Sequence, residues 1–278
     1  MRKSINFISL FAFMLLLVGC SSVSYFYQVY ETSLPQNVKM ENSAMYYEDE
    51  NCKIIYDFWN DGGDIGFSFY NKTNNNLYIN LEESFFIKNG VAYDYYQNRI
   101  YQQSNMSSSS TSNLTSVMYL GVAESKALNS SSANQYSEYS IEQKVVCIPP
   151  KTSKYIKEYK IVNALYRSCS LLRYPSKQPS AKFINKEEFT DNNSPLMFGN
   201  LITYSFKNTS TDYIRVNNTF VVKSIANYRD KDVNRVKKVK YCDEGYSTSV
   251  VFTDTISTSN NFYIKYSKIK KDEDTYDH

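Results

Sequence analysis

Chemistry in this chain has to come from carboxylates, tyrosines or cysteines. The one histidine is the last of the 278 residues, His278. Without an internal imidazole, neither a Ser-His-Asp nor a Cys-His relay can be assembled, nor a His-ligated zinc site. No G-x-G-x-x-G and no G-x-x-x-x-G-K-[ST] is present, so phosphate-cradling loops are excluded as well. The remaining enzymatic route is a pair of carboxyl groups, one protonated and one ionised, flanking a glycosidic bond. Acids cluster at Glu48-Asp49-Glu50, Glu82-Glu83, Glu187-Glu188 and Asp243-Glu244. Neighbours in a strand point to opposite faces, so no doublet is itself such a pair. Each reads as a solvated turn or strand end. Asn60-Asp61-Gly62-Gly63-Asp64 offers oxygens but lacks the spacing and closing Glu of a calcium loop, and reads as a hairpin turn. No metal and no cofactor is expected, and no catalytic residue is assigned.

Recognition is the other chemistry available. Tyr93, Tyr95, Tyr96 and Tyr101 bracket Asn98 and Arg99. Aromatic rings beside amide and guanidinium groups stack on sugars or anchor a protein partner. The competing reading is a Tyr-rich β surface with rings half-buried in cross-strand pairs, since the chain holds 27 Tyr. Cys52, Cys147, Cys169 and Cys242 are even in number, which in an oxidising compartment allows up to two disulfides in three pairings. Buried free thiols are the alternative. The absence of C-x-x-C argues against a thioredoxin-like role.

These residues need strands to hold them. Cys52–Trp59 is aromatic and β-branched, and Ile65, Phe67 and Phe69 recur at period two. Leu77–Leu81 alternates again, and Asn89-Gly90 between two apolar runs is a strong hairpin signal. Residues 102–140 carry serine runs and few bulky apolar groups, and read as a long disordered loop inserted in the body. A short helix is expected around Ile161–Ser168. Ile65–Asn71 and Ile202–Asn208 echo one another, as do the stretches that follow each. Coincidence, two sheets of one sandwich and two small domains all fit that echo. The last strand is expected at Asn261–Tyr266, before a charged tail.

The N-terminus reads MRKSINFISLFAFMLLLVGC, with a basic start and an apolar run of signal-peptide length. Leu17-Val18-Gly19-Cys20 resembles a bacterial lipobox. The resemblance implies that residues 1–19 are a removed leader, that Cys20 carries lipid, and that the membrane is a partner through that lipid. Removal of Arg2 and Lys3 leaves 29 basic against 28 acidic residues, a formal charge of +1. That balance gives no electrostatic reason to bind nucleic acid. Ser21-Ser22-Val23-Ser24 lacks the acidic cluster that resembles a surface-export signal. The expected location is therefore the outer membrane facing the periplasm, with surface exposure as the alternative.

The segments Cys52–Trp59, Asn71-Lys72-Thr73, Glu83–Tyr96, Ile148-Pro149-Pro150, Leu172–Pro175, Asn193-Ser194-Pro195 and Phe262–Tyr266 resemble a family of Bacteroides-type outer-membrane lipoproteins, one that brings no assigned activity with it. The resemblance implies a secreted, lipid-anchored, mainly β protein. Asp254-Thr255-Ile256 likewise resembles an O-glycosylation acceptor of such proteins. The expected fold is all-β, an antiparallel immunoglobulin-like sandwich. Residues 20–36 form a lipid-attached spacer and 37–278 the body, whose halves, about 37–101 and 143–267, flank the loop. The expected function is a non-enzymatic envelope module that binds or scaffolds a protein or glycan. The alternative is a carboxylate-dependent glycan hydrolase.

Overall fold

A strand forms where side chains alternate between a dry and a wet face, and this chain alternates along most of its length. The computed structural model describes residues 23–105, 114–118, 136–175, 184–208, 212–240, 247–253 and 256–269. In chain order the strands are β1 (Val23–Thr32), β2 (Val38–Glu41), β3 (Ala44–Glu48), β4 (Cys52–Tyr56), β5 (Phe67–Asn71), β6 (Leu77–Asn80), β7 (Phe85–Lys88), β8 (Val91–Asp94), β9 (Ile100–Asn105), β10 (Leu114–Met118), β11 (Tyr136–Ile141), β12 (Val145–Ile148) and β13 (Ser153–Ile156). There follow β14 (Lys186–Glu188), β15 (Met197–Ser205), β16 (Ile214–Arg229), β17 (Asn234–Lys240), β18 (Ser247–Thr253) and β19 (Asn261–Ile269). Helix among the described residues is one 3₁₀ turn, Leu81–Glu83, and one four-residue α1, Asp230–Val233. No helix among the described residues is long and apolar enough to cross a membrane.

The protein is an all-β, antiparallel, sandwich-like fold. A five-stranded sheet runs β13-β5-β4-β3-β2. A nine-stranded sheet has the path β12-β6-β15-β16-β1-β19, with β14 added at β16 and the β7–β8 hairpin added at β15. Their inner faces share one aromatic core. Phe69 meets Tyr204 edge-on at 5.4 Å, Tyr56 meets Phe220 at 5.5 Å, and Phe58 meets Phe198 at 5.3 Å. The two halves expected from the sequence thus interleave. The echoed segments fall on opposite sheets, Phe67–Asn71 in the smaller and Met197–Ser205 in the larger.

Several expectations meet their elements. Ile65, Phe67 and Phe69 are fully buried. Asn89 and Gly90 take φ of 47° and 80°, the left-handed pair that a two-residue hairpin between β7 and β8 requires. The last strand runs as expected and extends to Ile269.

Three expectations are corrected. Residues 20–36 are not a spacer throughout, because β1 lies between β16 and β19 and buries Phe26 to Tyr30 in succession. Residues 102–140 are not wholly a loop, since β9, β10 and β11 form a three-stranded antiparallel sheet; residues 106–113 and 119–135 lie outside the described residues. The segment 161–168 is not helical. The N–H groups of Ile161 and Val162 donate instead to the carbonyls of Gly63 and Gly62, which holds this stretch extended against the glycine pair. Asn60–Asp64 does turn the chain: it lies in the connection of the antiparallel β4–β5 hairpin, where the Gly63 N–H donates to the Asn60 carbonyl at 3.0 Å. Gly62 and Gly63 take positive φ, 82° and 73°. They also serve a crossing, where a Cβ on Gly63 would stand 2.8 Å from Ile161 and 2.9 Å from Phe262.

Candidate functional site

Of the residues singled out for recognition, Tyr95 and Arg99 line one cleft, while Tyr93 and Tyr96 lie outside its lining. Tyr93 is exposed on β8, with its ring stacked on Phe86 at 5.6 Å. Tyr95 is buried instead. Its hydroxyl donates to Asn200 Oδ1 at 2.7 Å, while Asn200 Nδ2 donates to the Ile65 carbonyl at 3.0 Å. Burial pushes the Tyr95 phenol well above its ordinary pKa, so it remains a neutral donor. Tyr96 is half-buried. Its hydroxyl donates to Asn98 Oδ1 at 2.7 Å, and Lys144 sits 5.2 Å above its ring. The side chain of Tyr101 lies outside the described residues.

Arg99 is the largest departure from an exposed binding patch. Its guanidinium is held by two carboxylates brought from distant sequence, Glu142 and Glu158. Nε donates to Glu142 at 3.1 Å and Nη2 donates to Glu158 at 2.7 Å. The second oxygen of Glu142 accepts from the backbone N–H of Gln97 at 2.9 Å and of Arg99 at 3.0 Å. The side chains of Arg99, Glu142 and Glu158 are only 10%, 7% and 18% exposed. Burial works against the ionised form of Glu142, but the Arg99 guanidinium and the two N–H groups outweigh it and hold the carboxyl below the usual range. The guanidinium itself is held up by both carboxylates against the opposing effect of burial.

This triad forms the floor of a cleft of 430 Å³, lined by residues of the 3₁₀ turn, the β11–β12 connection, β13 and the segment after β13. Ile141 and Tyr155 stand at its mouth, 69% and 58% exposed. The Tyr155 ring is fixed from below, since its hydroxyl donates to Asp64 Oδ2 at 2.8 Å. Asp64 is buried and also takes Lys157 Nζ at 2.6 Å and the Gly66 N–H at 2.9 Å. Burial, and then the bond to Asp64, raise the Tyr155 phenol. Gly66 is required here, because a Cβ would stand 2.8 Å from both the Asp64 carboxylate and the Tyr155 hydroxyl. Lys154 and Gln143 add a cation and an amide to the rim. The cleft is therefore lined by a tyrosine fixed through its hydroxyl, an aliphatic side chain and several polar groups, together with a triad whose charges are already paired.

Sequence reasoning reached Arg99 and its tyrosine neighbours, weighed Asp64 only within a turn, and missed Glu142, Glu158 and Tyr155. None of these carries a spacing signal. Of the acid clusters it weighed, Glu48 pairs with Lys72, Glu82 with Lys144, Glu83 with Arg215 and Glu188 with Lys186, while Asp243 and Glu244 lie outside the described residues. Among the described residues no three His, Cys, Asp or Glu side chains converge as a metal site needs. The disulfide expectation is corrected for three of its four members, since Cys52, Cys147 and Cys169 are free. Cys52 is fully buried on β4, where burial and then the nearby Asp49 push its thiol up, so it packs as a small apolar group. Cys20, Cys242, Asp254 and Thr255 lie outside the described residues. Comparison with protein-family models, with curated proteins and with solved structures found no match to this chain.

Proposed function

We propose that this chain is a lipid-anchored cell-envelope protein and a non-enzymatic module that binds or scaffolds a glycan or protein partner in the cleft beside β13. The observation that carries the binding half of this reading is the exposed Tyr155, fixed through its hydroxyl, in the lining of the cleft that also holds Arg99, Glu142 and Glu158. A ring held by its own hydroxyl loses little further freedom when a ligand stacks on it, which is the cost that preorganisation removes. A sugar ring, apolar on its face and polar at its edge, matches the ring, Ile141 and the Lys154 and Gln143 groups around it.

The same triad argues against the hydrolase alternative. A general acid needs a carboxyl that remains protonated near neutral pH, and Glu142 is shifted the opposite way. One guanidinium also grips both carboxylates, so neither is free to face a glycosidic oxygen. The lipid half rests on the lipobox resemblance at Cys20.

Titration calorimetry with envelope glycan fragments, combined with analysis of the mixture for new reducing ends, tests the reading. Tyr155→Phe, which keeps the ring, should bind within a few-fold of the native chain. Tyr155→Ala should lose binding, and no glycan should be cut. Release of products that stops in Glu142→Gln would replace this reading with the hydrolase. If no glycan binds and no envelope protein co-purifies with the native chain, the binding module fails.

A further inference from the structure

We infer that the end of the large sheet where β1 begins is a membrane-contact surface, which seats aromatic rings and basic groups among the headgroups of an anionic phospholipid bilayer. The inference rests on the lipid-anchor reading of Cys20 and extends it to the folded body.

The first observation is the length of the tether. β1 starts at Val23, so three residue steps separate it from Cys20. A fully extended chain spans at most about 3.6 Å per residue, which puts Val23 within about 11 Å of an acylated cysteine. The body has no long spacer to hold it away from the bilayer. The end of the sheet at Val23 has to lie at the headgroup layer.

The second observation is what that end carries. Val23 and Tyr25 are 42% and 49% exposed. Val23 pairs with Ile269, so β19 ends at the same place. On one face of this strand pair, Lys265 lies 4.7 Å from the Tyr25 ring and 5.5 Å from the Tyr27 ring. On the other face, half-buried Tyr174 and Tyr266 cover the buried Phe26, with ring centroids 5.2 to 6.0 Å apart. Lys268 and Arg173 each stand 5.3 Å from the Tyr174 ring. Tyrosine rings flanked by lysine and arginine suit the boundary between acyl chains and headgroups, where one end of a side chain is dry and the other wet.

The third observation is charge. Phe26 also pairs with Arg229, the last residue of β16, so the chain leaves β16 at this same end. It passes through α1 into β17, whose first residue, Asn234, donates to the Tyr27 hydroxyl at 2.8 Å. At this end Arg173, Arg229, Lys231, Lys265 and Lys268 stand against Asp61, Asp230 and Asp232. Arg229 is paired with Asp232, and Asp61 accepts from the Lys265 backbone N–H, so the end is not purely cationic. Its excess is still positive, in a chain whose charge without the leader is only +1. An anionic leaflet attracts such an excess, each basic group near the surface being worth about a fivefold gain in affinity.

The opposite end of the fold supplies an internal control. β16 is 16 residues long, about 50 Å at 3.3 Å per residue. It pairs with β1 at its C-terminal part and with β15 at its N-terminal part, where β15 pairs in turn with β6. Lys72 and Lys151 sit by the strands at that far end, with the Lys72 N–H donating to the Asn51 carbonyl and the Lys151 N–H to the Asn71 carbonyl.

The test uses the native lipidated protein reconstituted in phosphatidylethanolamine vesicles, with and without phosphatidylglycerol. Lysines are acetylated briefly, and intact and peptide masses are read. Each lysine is compared with its own rate in the same protein held in neutral detergent: Lys265 and Lys268 should slow at least fivefold on vesicles, and more with phosphatidylglycerol than without it, while Lys72 and Lys151, paired within the fold in either state, should change less than twofold. Acyl groups on Cys20 combined with the same change at all four lysines would overturn this surface and leave the anchor standing. A Cys20 without acyl groups would overturn the anchor, and this surface with it.

Discussion

Replacing Arg99 by methionine isolates the energetics of the cleft floor. The substitution keeps much of the stem but removes the guanidinium that links Glu142 and Glu158, two carboxylates with side chains 7% and 18% exposed. Removing one partner of a buried ionic group costs about 3–5 kcal/mol, because the remaining charge stays desolvated. The lower end applies here. Glu142 keeps the N–H groups of Gln97 and Arg99, and Glu158 is the more exposed of the two. The expected loss at pH 7 is therefore about 3 kcal/mol, a shift of about 1 M in the urea midpoint for a slope of about 3 kcal/mol/M.

The pH dependence gives the sharper test. In the native protein Glu142 is held below its unfolded value, so its contribution is present above about pH 4.3 and fades as pH falls through the folded value. In the variant Glu142 lacks its counter-charge, burial pushes its carboxyl up against the two remaining N–H groups, and acid relieves its penalty. The gap between the two proteins should therefore narrow steadily from pH 7 to pH 3.5. Urea melts across that range provide the measurement. A loss under about 1 kcal/mol at pH 7, or a gap independent of pH, would refute the account of the floor.

The remaining expectations concern the core. Tyr95→Phe leaves Asn200 Oδ1 without its 2.7 Å donor in a dry site and should cost about 1–3 kcal/mol in urea denaturation; a change under about 0.5 kcal/mol would show that Asn200 finds another partner. Gly199→Ala places a Cβ 2.0 Å from the Asn218 carbonyl oxygen across the β15–β16 ladder, so it should lower yield and melting temperature far more than Gly90→Ala, where the space is open and positive φ alone costs about 1–2 kcal/mol. A thiol reagent should modify exposed Cys169 at once and buried Cys52 only on unfolding, with Cys147 between them; rapid labelling of Cys52 under native conditions would contradict its packing.

What the sequence disclosed and what it withheld follow from burial. β5 was legible because one face is dry and the other half-wet, so Phe67 and Phe69 alternate with Ser68 and Tyr70. β1 was not, because both its faces are covered. Phe26 packs against Tyr174 and Tyr266, Tyr27 packs against Tyr263, and five consecutive residues are buried with no period to read. The helical spacing through Ile161 came from side chains that the Gly62–Gly63 crossing needed, a contact with a segment nearly a hundred residues earlier. At the cleft, Arg99 and its tyrosines stood out by type. Tyr93 and Tyr95 are two residues apart and would share a face if β8 continued; the strand ends at Asp94, and the bend there turns Tyr95 inward while Tyr93 stays exposed, which no local pattern announces. Glu142 and Glu158 joined Arg99 only through the return of the chain along β12 and β13.

The reading of this protein as an envelope module depends most on the fate of Cys20. Intact-mass measurement of the protein extracted from membranes of the cells that make it tests this directly. The account expects a chain that starts at Cys20 and carries a diacylglyceryl group with a further N-terminal acyl chain. A chain that keeps residues 1–19, or one that starts at Cys20 with an unmodified thiol, would contradict it.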